Sequence, residues 1–191
     1  MVLIGSSTGG PRALQTILEK LPYRKDAALC IVQHMPPGFT RSLAGRLNQL
    51  SPFTVKEGEN DERVEGGMAY IAPGGKHMEL SIEDGPLKIR LSQAPPRKGH
   101  RPSVDVLLES AIHLDKFNLI FVILTGMGKD GLEGLKKLKA HRPVYTIAQD
   151  EATSVVYGMP RAIAEADLAD EIVPLEQIAS ALTIRLNKLG G

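Results

Sequence analysis

The pentapeptide Gly5-Ser6-Ser7-Thr8-Gly9 follows the apolar run Val2-Leu3-Ile4 and has the G-x-S-x-G spacing of a nucleophile elbow. A serine hydroxyl attacks a carbonyl only when a base can take its proton. The glycines remove side chains that would crowd so sharp a turn, so the central hydroxyl, that of Ser7, projects where a base can reach it. Ser6 occupies the x position and is the weaker candidate. The same composition also suits a helix cap or a phosphate cradle, so the pentapeptide alone leaves both chemistries open. Two further polar residues stand where apolar runs end. His34 follows Ala27 to Gln33, and Asp130 lies in the turn after Phe117 to Leu124. An imidazole that accepts a proton and a carboxylate that orients it are the groups an attacking serine requires.

The turn that holds Asp130 has a rival reading. Gly126, Gly128 and Gly131 match G-x-G-x-x-G between an expected strand and an expected helix, and Asp150 stands nineteen positions further on, where an acid could grip a ribose. Against a dinucleotide site, that fingerprint usually opens the first strand-helix-strand unit, whereas two such units precede it here. Asp130 would also set a carboxylate against a pyrophosphate. With Glu133 three positions on, Asp130 resembles a capping pair for its own helix, a role compatible with orienting a histidine. His77, His100, His113 and His141 show no metal-ligand spacing with one another or with Cys30, so no metal and no cofactor is expected. His100, in the basic loop, reads first as a solvated loop residue and second as part of a binding surface.

These residues need a scaffold, and hydrophobic periodicity supplies one. Pro11 suits a first helical turn, and Ala13, Leu14, Ile17, Leu18 and Leu21 recur at helical spacing until Pro22. Ala27 to Gln33 is a continuous apolar strand, which points to a parallel sheet covered on both faces. A helix is expected near 40–50 and a short strand near 54–57. Met68 to Ala72, Met78 to Ile82 and Leu87 to Leu91 then read as short strands punctuated by Pro73-Gly74-Gly75 and Asp84-Gly85-Pro86, the last two as an antiparallel hairpin excursion on the main sheet. After a basic loop at 93–102, Ser103 looks like the N-cap of a helix carrying Val104, Leu107, Leu108, Ala111 and Leu114. Strands follow at Phe117 to Leu124, Val144 to Ala148 and Glu171 to Val173, with helices between and after them. The expected fold class is α/β: one doubly wound, mainly parallel sheet with helices on both faces.

Composition narrows the function classes. The 191 residues suffice for one substantial domain, and 42% hydrophobic content is ordinary for a globular protein. With 23 basic and 22 acidic residues, the net charge of +1 argues against a general electrostatic hold on nucleic acid or on a membrane surface. The single cysteine, Cys30, reads as a small buried side chain and permits no intrachain disulfide, which suits a reducing compartment. No apolar run approaches membrane-span length, so a cytoplasmic protein without membrane insertion is expected.

With Ser7, His34 and Asp130 each at the carboxyl end of an expected parallel strand, the chain closely resembles the catalytic domain of bacterial chemotaxis receptor methylesterases, also called protein-glutamate methylesterase/protein-glutamine glutaminase. The resemblance covers essentially residues 1–191. It rests on Ile4 to Pro11, Gln33 to Thr40, Arg101 to Asp105, Leu124 to Gly131 and Tyr157 to Arg161. It implies a serine hydrolase whose triad falls on Ser7, His34 and Asp130, and which demethylates glutamate methyl esters on receptors. Deamidation of receptor glutamines is a second activity it implies. Candidate oxyanion donors are the backbone N–H groups of Thr8 and Met127, and candidate substrate contacts are Arg97, Lys98, Arg101 and Met159. The implied partners are methylated cytoplasmic helices of chemoreceptors, and a regulatory receiver domain with its histidine kinase. Such a receiver domain commonly precedes the catalytic domain in this family, and these residues do not include one.

Overall fold

Three fully buried strands lie side by side at the centre of the molecule: β1 (Val2–Ser6), β2 (Leu29–Gln33) and β7 (Ile120–Ile123). The structure, a computed structural model, describes residues 1–82 and 85–189. In chain order the remaining elements are α1 (Gly10–Lys20), α2 (Phe39–Asn48), β3 (Thr54–Glu57), β4 (Met68–Ile71), β5 (His77–Ser81), β6 (Lys88–Ser92), α3 (Val104–Ser110), α4 (Leu132–His141), β8 (Tyr145–Gln149), α5 (Met159–Glu165), β9 (Glu171–Val173) and α6 (Leu175–Leu189).

The main sheet has seven strands in the order β3-β4-β2-β1-β7-β8-β9, and every pairing in it is parallel. From β1 the chain winds to one side through β2 and out to the edge strand β3, comes back to insert β4 between them, and after the hairpin returns to lay β7 on the other side of β1. The strand order therefore reverses between β1 and β7, the place where open α/β sheets form crevices beyond the carboxyl ends of their strands.

Side chains alternate between the two faces of each strand, and both faces are covered. Val2, Ile4, Leu29, Ile31, Ile120, Val122 and Ile147 pack beneath α1, α2 and α6. Leu3, Cys30, Val32, Phe121, Ile123 and Ala148 pack beneath α3, α4 and α5. The helical spacing of Ala13, Leu14, Ile17 and Leu18 thus becomes the buried stripe of α1.

Two details differ from the sequence reading. Residues 68–71 form β4, a parallel strand between β2 and β3, and the antiparallel hairpin of β5 and β6 makes a two-stranded sheet of its own, registered from His77↔Ser92 to Ser81↔Lys88. An apolar run signals a strand but not its partner, because pairing direction depends on where the intervening chain crosses. The hairpin buries Met78, Leu80 and Ile89 on the α3 side and ties to that helix where Leu80 N–H donates to Ser110 Oγ at 2.9 Å. In its expected turn, Asp84 lies outside the described residues. Helix α3 also stops at Ser110, short of Leu114. The chain continues through tight turns, with Leu114 N–H on the Ala111 carbonyl, and still buries Leu114. Among the described residues, no helix is long and apolar enough to cross a membrane.

Candidate active site

Register brings the first two candidates together. Ser6 pairs with Gln33 across β1 and β2, and His34 N–H donates to the Ser6 carbonyl at 3.0 Å, so Ser7 and His34 leave the sheet as neighbours. Asp130 arrives from the other side of β1, on the loop after β7. All three candidates therefore stand at the carboxyl edge around the switch point.

The elbow is held by its neighbours on both sides. Ser7 N–H donates to the Thr125 carbonyl at 3.0 Å, and Gly10 N–H donates to the Ser7 carbonyl at 2.8 Å. Gln33, buried at the end of an apolar strand, accepts from Ser6 Oγ at 2.7 Å and donates through Nε2 to the Ser7 carbonyl at 2.9 Å. The Ser6 hydroxyl is thus committed and wholly buried, whereas Ser7 is half-buried and its hydroxyl makes no hydrogen bond among the described residues. Gly9, at φ 82°, is the N-cap of α1, a backbone conformation that a side chain would strain.

His34 and Asp130 meet directly: Nε2 lies 2.7 Å from Oδ2. Asp130 also accepts from Ser103 Oγ at 2.8 Å, Val104 N–H at 2.7 Å and Asp105 N–H at 3.0 Å. Burial pushes its carboxyl upward, but the hydrogen bonds from His34, Asp105 and Val104 outweigh that and hold it down at about 2. An ionised carboxylate is therefore present at neutral pH. With Nε2 donating to it, Nδ1 of His34 keeps its lone pair, and Nδ1 is buried without a partner among the described residues.

The capping expectation needs correction. Helix α4 starts at Gly131 without a side-chain cap, and Asp130 instead binds the free N–H groups at the start of α3, where Ser103 gives its hydroxyl to Asp130 rather than capping the helix itself. Asp105 returns the interaction, accepting from Gly131 N–H at 2.9 Å and Gly134 N–H at 2.8 Å at the start of α4. Each helix start is thus served by a carboxylate from the other segment, because orphan N–H groups take whichever acceptor the fold delivers. No three-residue spacing in the sequence signals such an exchange.

The other candidates are placed as follows. Thr8 is exposed, Met127 is 65% exposed, and neither backbone N–H donates within the chain among the described residues. Met159 is wholly buried, packed behind Gly126 and Ser7. Arg97 pairs with Glu109 at 2.8 Å, Lys98 with Asp105 at 3.2 Å, and Arg101 donates to the Gln93 and Ala94 carbonyls, both at 3.0 Å. Those three cations fasten the 93–102 loop. Asp150 binds Thr153 through its N–H at 3.0 Å and its hydroxyl at 2.6 Å, which uses it to close a turn. His100 is not a solvated loop residue: it is half-buried and stacks on His34. Gln33 and Asp105 are participants to which sequence reasoning gave no role, and Ser103 and His100 are participants to which it gave a different one. Only Gln33 carried a signal, as a polar residue ending a strand buried on both faces.

Comparison with known proteins identifies the family. A family model described as CheB methylesterase matches residues 2–182. A protein of Geobacillus kaustophilus named protein-glutamate methylesterase/protein-glutamine glutaminase is 54% identical over 182 residues, which cover 95% of this chain and 52% of that protein. A protein of the same name from Bacillus licheniformis is 50% identical over 188 residues, 98% of this chain and 53% of its own. The chain thus spans about half the length of these relatives. The crystal structure of the Thermotoga maritima CheB methylesterase catalytic domain superposes with a TM-score of 0.90 at 46% identity, covering 95% of each chain. On sequence and on fold together, this chain belongs to the CheB methylesterase family.

Proposed function

We propose that residues 1–191 form a methylesterase catalytic domain that hydrolyses glutamate methyl esters on the cytoplasmic helices of chemoreceptors, with Ser7 as nucleophile, His34 as general base and Asp130 as its orienting acid. The observation that carries this reading is the 2.7 Å contact of His34 Nε2 with an ionised, hydrogen-bonded Asp130, which leaves Nδ1 without a partner among the described residues at the same sheet edge that carries the unbonded hydroxyl of Ser7.

In the reaction, Ser7 Oγ attacks the ester carbonyl as its proton passes to Nδ1 of His34. The charge that appears on the imidazole is balanced by Asp130 through Nε2–H, and the free N–H groups of Thr8 and Met127 are the donors available to the tetrahedral oxygen. His34 returns the proton to the methoxy oxygen, the C–O bond breaks, and methanol leaves an acyl-enzyme. Water, deprotonated by the same Nδ1, attacks the acyl carbon, Ser7 recovers its proton, and the glutamate carboxylate is released. A glutamine side chain fits the same sequence with ammonia as leaving group, in keeping with the double name of the relatives. A substrate displayed on receptor helices reaches an open sheet edge directly, and those helices lie in the cytoplasm, which is where the domain acts. Methanol release from a receptor fragment bearing glutamate methyl esters, wild type beside Ser7→Ala, tests the proposal. Release that depends on Ser7 is the expected result, and equal release by both proteins overturns it.

A further inference from the structure

Among the described residues, His34 makes only one side-chain hydrogen bond, at Nε2. A single bond at one ring nitrogen leaves the tilt of the ring about its Cβ–Cγ bond only partly set, and with it the direction in which Nδ1 points. The structure provides a second restraint. The ring of His100 lies face to face with that of His34, centroids 3.9 Å apart and planes 7° from parallel. Its loop is itself anchored: Arg97 and His100 exchange two backbone hydrogen bonds of 2.9 Å, the Arg97 guanidinium reaches Glu109 on α3, and the Arg101 carbonyl accepts from Gly75 N–H at 3.1 Å.

We propose that His100 is a positioning residue for the esterase reaction, its ring backing the face of His34 and setting the plane in which Nε2 meets Asp130 and Nδ1 is left to take a proton. The inference rests on the triad reading above. A flat, uncharged partner is what the role demands, since His34 itself gains a proton during the reaction. Burial pushes the His100 imidazole below the usual histidine range, His34 adds to that, and Asp130 opposes it. Among the described residues, the titratable groups whose charge acts on the His100 imidazole are His34 and Asp130. On its own loop, Arg97, Lys98 and Arg101 direct their charges to Glu109, Asp105 and the Gln93 and Ala94 carbonyls.

The test compares His100→Ala and His100→Phe with wild type and Ser7→Ala in the full chain, following methanol release from a methylated receptor fragment, with circular dichroism to verify folding. His100→Ala is expected to lower kcat about tenfold with KM nearly unchanged, and His100→Phe, which keeps a flat ring, to recover most of that loss. A folded His100→Ala with wild-type kcat, or a folded His100→Phe no better than His100→Ala, overturns the inference while an inactive Ser7→Ala leaves the triad standing. An active Ser7→Ala overturns both.

Discussion

Two glycine-rich turns flank the point where the sheet reverses direction, and each hands one polar side chain to the site. After β1, Gly9 at φ 82° opens a helix and Ser7 is left with an unbonded hydroxyl. After β7, Gly131 at φ 101° opens another, but Asp130 accepts from His34, Ser103, Val104 and Asp105. The difference follows from what each group has to do. A nucleophile must move onto a carbonyl and be released again, so bonds to its hydroxyl would oppose attack. An orienting acid must stay charged and still, so every lone pair that a donor occupies helps. Similar composition thus builds one turn that is open and one that is locked.

Substitutions can break this contrast, and their effects should scale with it. Ser7→Ala removes the open group and should lower kcat by up to about a millionfold, while changing stability by no more than about 0.5 kcal/mol, because no bond within the protein is lost. Kinetics beside urea denaturation would check both halves. A clear loss of stability would mean that the Ser7 hydroxyl is bonded after all. Asp130→Asn attacks the locked turn and should do two things at once: reduce kcat about ten-thousandfold, and destabilise the fold by about 2 kcal/mol, since an amide NH2 would face N–H donors. A variant as stable as wild type would argue against the locked description.

Gly126→Ala tests how closely the turns meet. A Cβ there would sit 2.7 Å from Ser7 Cβ and collide with Met159 Sδ, pushing the nucleophile out of line. About a hundredfold loss of kcat is expected, with KM changed much less. Unchanged kcat would show that the methionine yields and the serine does not move.

The smallest effect concerns pH. The Asp130 carboxyl is held at about 2 against an ordinary 3.8, so it contributes stability above the unfolded value and loses it as pH falls through the folded one. The stability gap between wild type and Asp130→Asn should therefore narrow by about 2 kcal/mol as pH drops from about 4 to about 2. A gap independent of pH over that range would place the proton elsewhere.

Much of this was legible before any coordinates. The apolar runs of β1, β2 and β7 and the stripe of α1 declare themselves, because strands covered on both faces and helices covered on one have distinct periodicities. Ser7 was preferred to Ser6 from elbow spacing, and the structure commits the Ser6 hydroxyl to Gln33. The parallel pairing of β4 and the separate hairpin were not legible, since neighbours in a sheet are chosen by crossover paths. Nor was it legible that Arg97, Lys98 and Arg101 meet Glu109, Asp105 and two loop carbonyls, which become their neighbours only when the loop closes on α3 and on itself.

Local residue order by itself determined where strands stop, where helices begin and which polar side chains sit at those junctions, because these depend on backbone sterics and on burial within a few residues. Only the tertiary structure decided that Asp130 serves the start of α3, that Asp105 serves the start of α4 and that His100 lies against His34. Each of those contacts joins groups from separate segments, and an orphan N–H or an exposed ring face binds what the fold carries to it rather than what lies next in the chain.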